Sequence, residues 1–203
     1  MITWTGRGNL PAQTSPLMEY LSHENSLLMK QRNKSFWIGL SLLNLSLVAL
    51  FGLLMRSKMI FSIPFLDYRN LLSAHAYFAF GGWVGLALLT LLIYDVLPKE
   101  KGKGNIYQII LWAIEVSSLG MAFTFPIWGY TAVSTVFLTL YIITTFVFGW
   151  VFWKDVKASQ LHPAVRITSQ GSIVSLLLSA VGPAVIAYIL ISRSPNSLLY
   201  RDA

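Results

Sequence analysis

Five stretches of this chain are long and apolar enough to cross a lipid bilayer, and that limits the folds open to it. They lie near 36–55, 71–94, 106–128, 131–153 and 171–192. A run of roughly 20 apolar residues spans a hydrocarbon core of about 30 Å at about 1.5 Å rise per residue. Backbone polar groups in lipid have no water to bond, so each crossing must satisfy them internally, as a helix does. The expected fold is therefore an all-α, polytopic bundle of five transmembrane helices. Composition agrees. Only 11% of the 203 residues are charged and 55% are hydrophobic, with mean hydropathy +0.62, whereas soluble domains carry about 25% charged residues. A soluble enzyme is excluded on this ground.

The charge has a matching explanation. A net charge of +7 would suit a nucleic-acid partner in a soluble protein, but in a membrane protein it marks cytoplasmic loops, and no nucleic-acid partner is expected. With the N-terminus inside, ten of the fifteen Lys and Arg fall on the cytoplasmic side: Arg7, Lys30, Arg32, Lys34, Lys99, Lys101, Lys103, Lys154, Lys157 and Arg166. Arg56, Lys58, Arg69, Arg193 and Arg201 fall outside. The bias predicts a cytoplasmic N-terminus, and the localisation expected is the cell (inner) membrane, multi-pass. No short apolar core precedes a small-residue cleavage site, so the first span is expected to serve as its own insertion signal. Residues 1–35 read as a cytoplasmic tail with a short amphipathic turn near Leu17–Met29, 36–192 as the transmembrane domain, and 193–203 as a polar C-terminal tail. KEKGKG at 99–104 reads as a solvated loop, and Pro126 and Pro183 as breaks or kinks in the third and fifth helices. Cysteine is absent, which removes disulfides, thiolate metal sites and covalent haem attachment through CxxCH.

Ionisable groups inside spans are rare enough to be examined singly. Here they are His75 and Glu115. His75 falls about five residues into the second span, roughly 7 Å below the outer interface. Phe78, Ala79 and Gly82 share its helix face, and Gly81 and Gly85 form a G-x-x-x-G pair through which another helix, or a flat cofactor, can approach the backbone. A neutral imidazole can be an axial haem ligand. It can equally donate to a neighbouring carbonyl while the glycines only pack helices. Glu115 lies mid-span with Ser118 on the same face. Burying a carboxylate there costs about 2.5–3.5 kcal/mol on insertion scales, so the group should be protonated, paired or hydrated. It is either a proton-path carboxyl or a hydrogen-bonding link to a neighbouring helix. Asn44, with Ser41 three residues earlier, marks a helix–helix contact on the first span. Asp95, Asp155, His23 and His162 read as boundary or aqueous residues. No Ser–His–Asp set converges on one membrane depth.

The stretch LLSAHAYFAFGGWVGLALLTLLIYD resembles the second helix of haem–copper oxidase subunit I and the related nitric oxide reductases. It is most similar to subunit I-like membrane proteins with an H-x-H-F-A-F-x-G-W pattern, which here runs from His75 to Trp83 with Tyr77 in place of the second histidine. The resemblance extends over roughly residues 36–192 and is specific only over 71–94. It implies that His75 is an axial ligand of a low-spin haem, with Phe78 and Gly82 beside the cofactor, in a cytochrome oxidase-like protein of respiratory electron transport. The family carries its copper and remaining haem ligands on later helices, and this sequence has no second membrane histidine. As a single chain it is incomplete for oxidase chemistry. It would be the N-terminal half of a longer or split protein, a relative without the catalytic centre, or a homodimer offering one His75 from each copy to one haem. The expected partners are the lipid bilayer and a second copy or another membrane subunit. The other reading is a non-enzymatic helical membrane module, an assembly partner or small-molecule carrier, with Gly81, Gly82 and Gly85 as an oligomer interface.

Overall fold

A computed structural model describes residues 16–61, 63–98, 105–183 and 185. The 99–104 loop, the end of the expected fifth span beyond 185 and the 193–203 tail lie outside the described residues, as does the side chain of His23. Five helices follow in chain order: α1 (Pro16–Ile60), α2 (Tyr68–Val96), α3 (Asn105–Trp128), α4 (Ala132–Ala158) and α5 (Pro163–Ser179). All five are long and apolar enough to cross a membrane, and no strand occurs among the described residues.

Two boundaries depart from the sequence reading. Residues 16–35 were expected in a tail, yet α1 runs back to Pro16 without interruption. Proline suits a first helical turn because its missing N–H has no intrahelical partner there. The following MEYLSHENSLLMKQRNK contains no further Gly or Pro and many good helix formers. The last span was expected at 171–192 with a loop near 154–170, whereas helix already begins at Pro163. Pro163 starts α5, and His162 caps it by accepting the Ala164 N–H. Regular helix stops at Ser179, the residue whose carbonyl the ring of Pro183 would strike. Pro126, by contrast, sits within α3, which ends two residues later. Gly129 then turns the chain at φ +61°, a left-handed conformation open to glycine without strain. Its carbonyl accepts the Ser134 hydroxyl at 2.6 Å, which locks the short α3–α4 connection.

The helix α3 is the centre of the bundle. It buries 61% of its apolar window, against 17% for α1 and for α5. It packs on α2 and α4, α1 packs along α2, and α5 packs on α4. One core fills the end near the start of α1: Trp37, Leu86, Ile93, Ile110, Leu111, Phe148 and Phe152 are fully or almost fully buried. A second, around Ala74, Met121, Phe125 and Leu138, fills the opposite end. Leu43, Leu53, Phe80, Ile109, Phe123, Val136 and Trp150 point outward and are exposed. That pattern would be unfavourable in water and is expected of a lipid-facing surface.

The end near the start of α1 is stitched by polar side chains. Lys34 Nζ meets Asp95 at 2.7 Å. Trp37 Nε1 donates to Gln108 Oε1, whose amide donates to the Tyr94 hydroxyl. The Tyr107 hydroxyl donates to Asp155 at 2.7 Å. Asp95 and Asp155, read from sequence as simple boundary residues, thus tie helices together. At the other end Lys58 holds the connecting loop through the carbonyls of Ile63 and Leu66, and Asp67 caps α2 by accepting the Asn70 N–H.

Candidate functional site: a buried polar node at mid-bundle

The site begins with an irregularity in α2. Ala79–Gly85 and Leu92–Val96 are wound as π-helix. In an α-helix the Leu86 N–H would bond the carbonyl of Gly82, four residues back. Here it reaches Gly81 and Trp83 instead, so the Gly82 carbonyl loses its α-helical donor. A freed carbonyl inside a membrane must find another donor. Asn44 of α1 supplies it, its Nδ2 standing 2.7 Å from Gly82 O. Glycine is required at two places in the widened turn. A Cβ on Gly85 would lie 2.6 Å from the Phe80 carbonyl oxygen, and one on Gly81 would lie 2.7 Å from Ser118 Oγ and 2.9 Å from the Tyr141 ring.

The second N–H of Asn44 goes to Glu115 Oε2 at 2.8 Å. One amide therefore joins three helices: it sits on α1 and bonds a main-chain carbonyl of α2 and a carboxyl of α3. Asn44 and Glu115 are 1% and 2% exposed, and Ser118 is fully buried. Glu115 Oε1 and Ser118 Oγ are also sealed from solvent and make no hydrogen bond. Of the states the sequence reading left open for Glu115, protonated, paired or hydrated, the structure supplies a polar partner, Asn44. Both had been marked separately. Their pairing across 71 positions and the π-turn had no local signature, although three glycines within five residues hinted at an unusual backbone.

His75 lies nearer the loop that joins α1 to α2. Its Nδ1 is 3.1 Å from the Val48 carbonyl of α1, and Gly52 leaves room for the ring, whose Cε1 would be 3.6 Å from a Cβ there. The half-buried imidazole thus leans on α1, with Nε2 as its remaining ligand atom. Such a carbonyl bond also orients metal-binding histidines, so the haem implied by the resemblance has to be tested on the residues beside it. They do not form a slot. Phe78 is fully buried against Phe51, and its ring covers Gly82 so closely that a Cβ there would lie 2.4 Å from it. The notch that would admit a macrocycle edge is filled by the chain's own phenyl ring. Gly81 and Gly85 are buried within the chain: a Cβ on Gly81 would meet Ser118 and Tyr141, and one on Gly85 the Phe80 carbonyl and the Tyr141 hydroxyl. Tyr77, where the pattern carries its second histidine, pairs with the Tyr130 hydroxyl at 3.0 Å and packs against Phe125. No group of three or more His, Cys, Asp or Glu able to hold a metal occurs among the described residues.

What these observations define is an all-helical protein with five helices suited to span a membrane and a sealed polar node at its centre. Comparison with family models, curated proteins and solved structures finds no match.

Proposed function

We propose that this chain is a non-enzymatic, proton-handling membrane module, resident in the cell membrane with its N-terminus cytoplasmic, in which Glu115 is the proton-exchanging group. The observation that carries this reading is the state of that carboxyl. It is buried on the central helix, one oxygen is held by Asn44, and the other meets no protein donor. A carboxyl used only to link helices would be expected to have both oxygens held by protein groups, whereas this one leaves an oxygen for a solvent molecule. Ionisable groups at this depth mark ion or proton pathways by default. The orientation rests on the two-to-one bias of basic residues. Loss of the haem slot to Phe78 is why the module reading is preferred to the respiratory one.

Infrared spectroscopy of the full chain in lipid tests the proposal. A carboxylic C=O stretch that Glu115→Gln removes is expected to shift in D2O while the amide protons of the spans remain unexchanged. If no band belongs to Glu115, or if it exchanges only together with those amides, the proposal fails. A Soret band in protein from haem-replete cells, lost in His75→Ala, would replace it with the haem reading.

A further inference from the structure

We propose that a single water molecule is bound between Glu115 Oε1 and Ser118 Oγ, against the widened turn of α2, and that it is a structural component of the node. The inference stands on hydrogen-bond accounting and does not depend on a role for Glu115 in proton exchange.

Serine and threonine in these helices regularly satisfy themselves by donating to the carbonyl four residues back. Thr90, Ser117, Thr124, Thr135, Thr144 and Thr145 all do so. Ser118 does not. Its normal acceptor is the Ile114 carbonyl, yet no such bond forms and its hydroxyl has no protein partner. The Ser118 hydroxyl instead lies against Gly81, where a Cβ would come within 2.7 Å of it.

Glu115 has the complementary shortage. Both N–H groups of Asn44 are committed, to Gly82 O and to Glu115 Oε2, so Asn44 has no donor left for Oε1. Oε1 and the Ser118 hydroxyl are one helical turn apart on one face yet do not bond each other. Two orphaned polar atoms, sealed from solvent on the same face, are the usual signature of a bridging internal water. Such a water donates to Oε1 and shares a hydrogen bond with Ser118. The Tyr141 ring, 2.9 Å from a Cβ position on Gly81, walls the site on the α4 side.

The test is infrared spectroscopy of the intact chain in lipid, comparing H2O with H218O. An isolated water O–H stretch that moves on isotope substitution is expected in the native chain. It should be absent from Ser118→Ala, a small truncation that keeps the core packing. Glu115→Gln retains an acceptor at this position, so in that variant the band should shift and persist. The proposal is overturned by the lack of any 18O-sensitive band, by a band that survives Ser118→Ala unchanged, or by a carboxyl stretch that responds to exchange of Na+ for K+, which would indicate a cation. Deuterium exchange of Glu115 can succeed or fail irrespective of these outcomes, so this inference and the functional proposal are refuted separately.

Discussion

Asn44→Ala is the substitution whose cost the structure specifies best. It deletes one side chain and two bonds, at 2.7 Å to Gly82 O and at 2.8 Å to Glu115 Oε2. Interhelical hydrogen bonds in membranes average about 0.6 kcal/mol, so two of them set a floor of about 1 kcal/mol. The larger contribution is what is left behind. The Gly82 carbonyl has no α-helical donor to return to while the π-turn persists, and the second oxygen of Glu115 joins the first in having no protein partner. At about 1–3 kcal/mol for an unsatisfied buried group, the expected loss is near 3 kcal/mol. Reversible unfolding of the purified chain in mixed micelles measures it, as does steric trapping in bicelles. A double-mutant cycle with Glu115→Leu, which removes the acceptor, isolates the shared bond and should return a coupling of at least about 0.5 kcal/mol. A loss below about 0.5 kcal/mol for Asn44→Ala, or strictly additive singles, would show that the amide does not organise the three helices.

Other perturbations separate the tight glycines from the open ones and the buried polar contacts from the exposed. Gly81→Ala should cost about 1–3 kcal/mol, because its methyl meets Ser118 Oγ and the Tyr141 ring below 3 Å; the same micelle titration reads it. Gly171→Ala, with nothing within 4 Å, should be neutral or stabilising by up to about 1 kcal/mol. Removing the Lys34–Asp95 pair, whose side chains are 34% and 50% exposed, should change stability by less than about 1 kcal/mol, with that change vanishing at high salt. The native chain has no cysteine, so topology can be read with single introduced thiols. Phe65→Cys in the exposed loop before α2 should react with an impermeant maleimide from outside intact cells, and His162→Cys between α4 and α5 only after permeabilisation. The reverse pattern would invert the assigned orientation.

The membrane architecture was legible because its cause is local. Twenty apolar residues in a row have one solution in lipid, and the five runs became five helices. Errors arose where lipid stops dictating the answer. The polar residues 16–35 carry no hydrophobic signal, yet their helix propensity continues α1. The LHPAVRITSQ opening of the last span could not compete with the more apolar stretch after it, although Pro163 and His162 carry the start signal in retrospect. Within the node, Glu115 and Asn44 were each conspicuous as polar groups at the wrong depth. That they meet depends on how α1, α2 and α3 pack, which periodicity alone does not encode. His75 attracted attention for its chemistry, and one of its two readings expected a neighbouring carbonyl. The structure supplies Val48 O, while Phe78 closes the space that a cofactor would need.

The widened turn in α2 also has a consequence for chain length. A π-turn holds a residue more than the α-turn it replaces, so Ala79–Gly85, like Leu92–Val96 further along, contains slack that the regular α-helices lack. Excising one residue there would let the segment rewind as ordinary α-helix, with both flanks keeping their contacts. A deletion within α3 would swing everything beyond it by about 100° around the helix axis. Tolerance of shortening should therefore be concentrated in the π-wound segments of α2, and in the first of them at the expense of the carbonyl that Asn44 now holds.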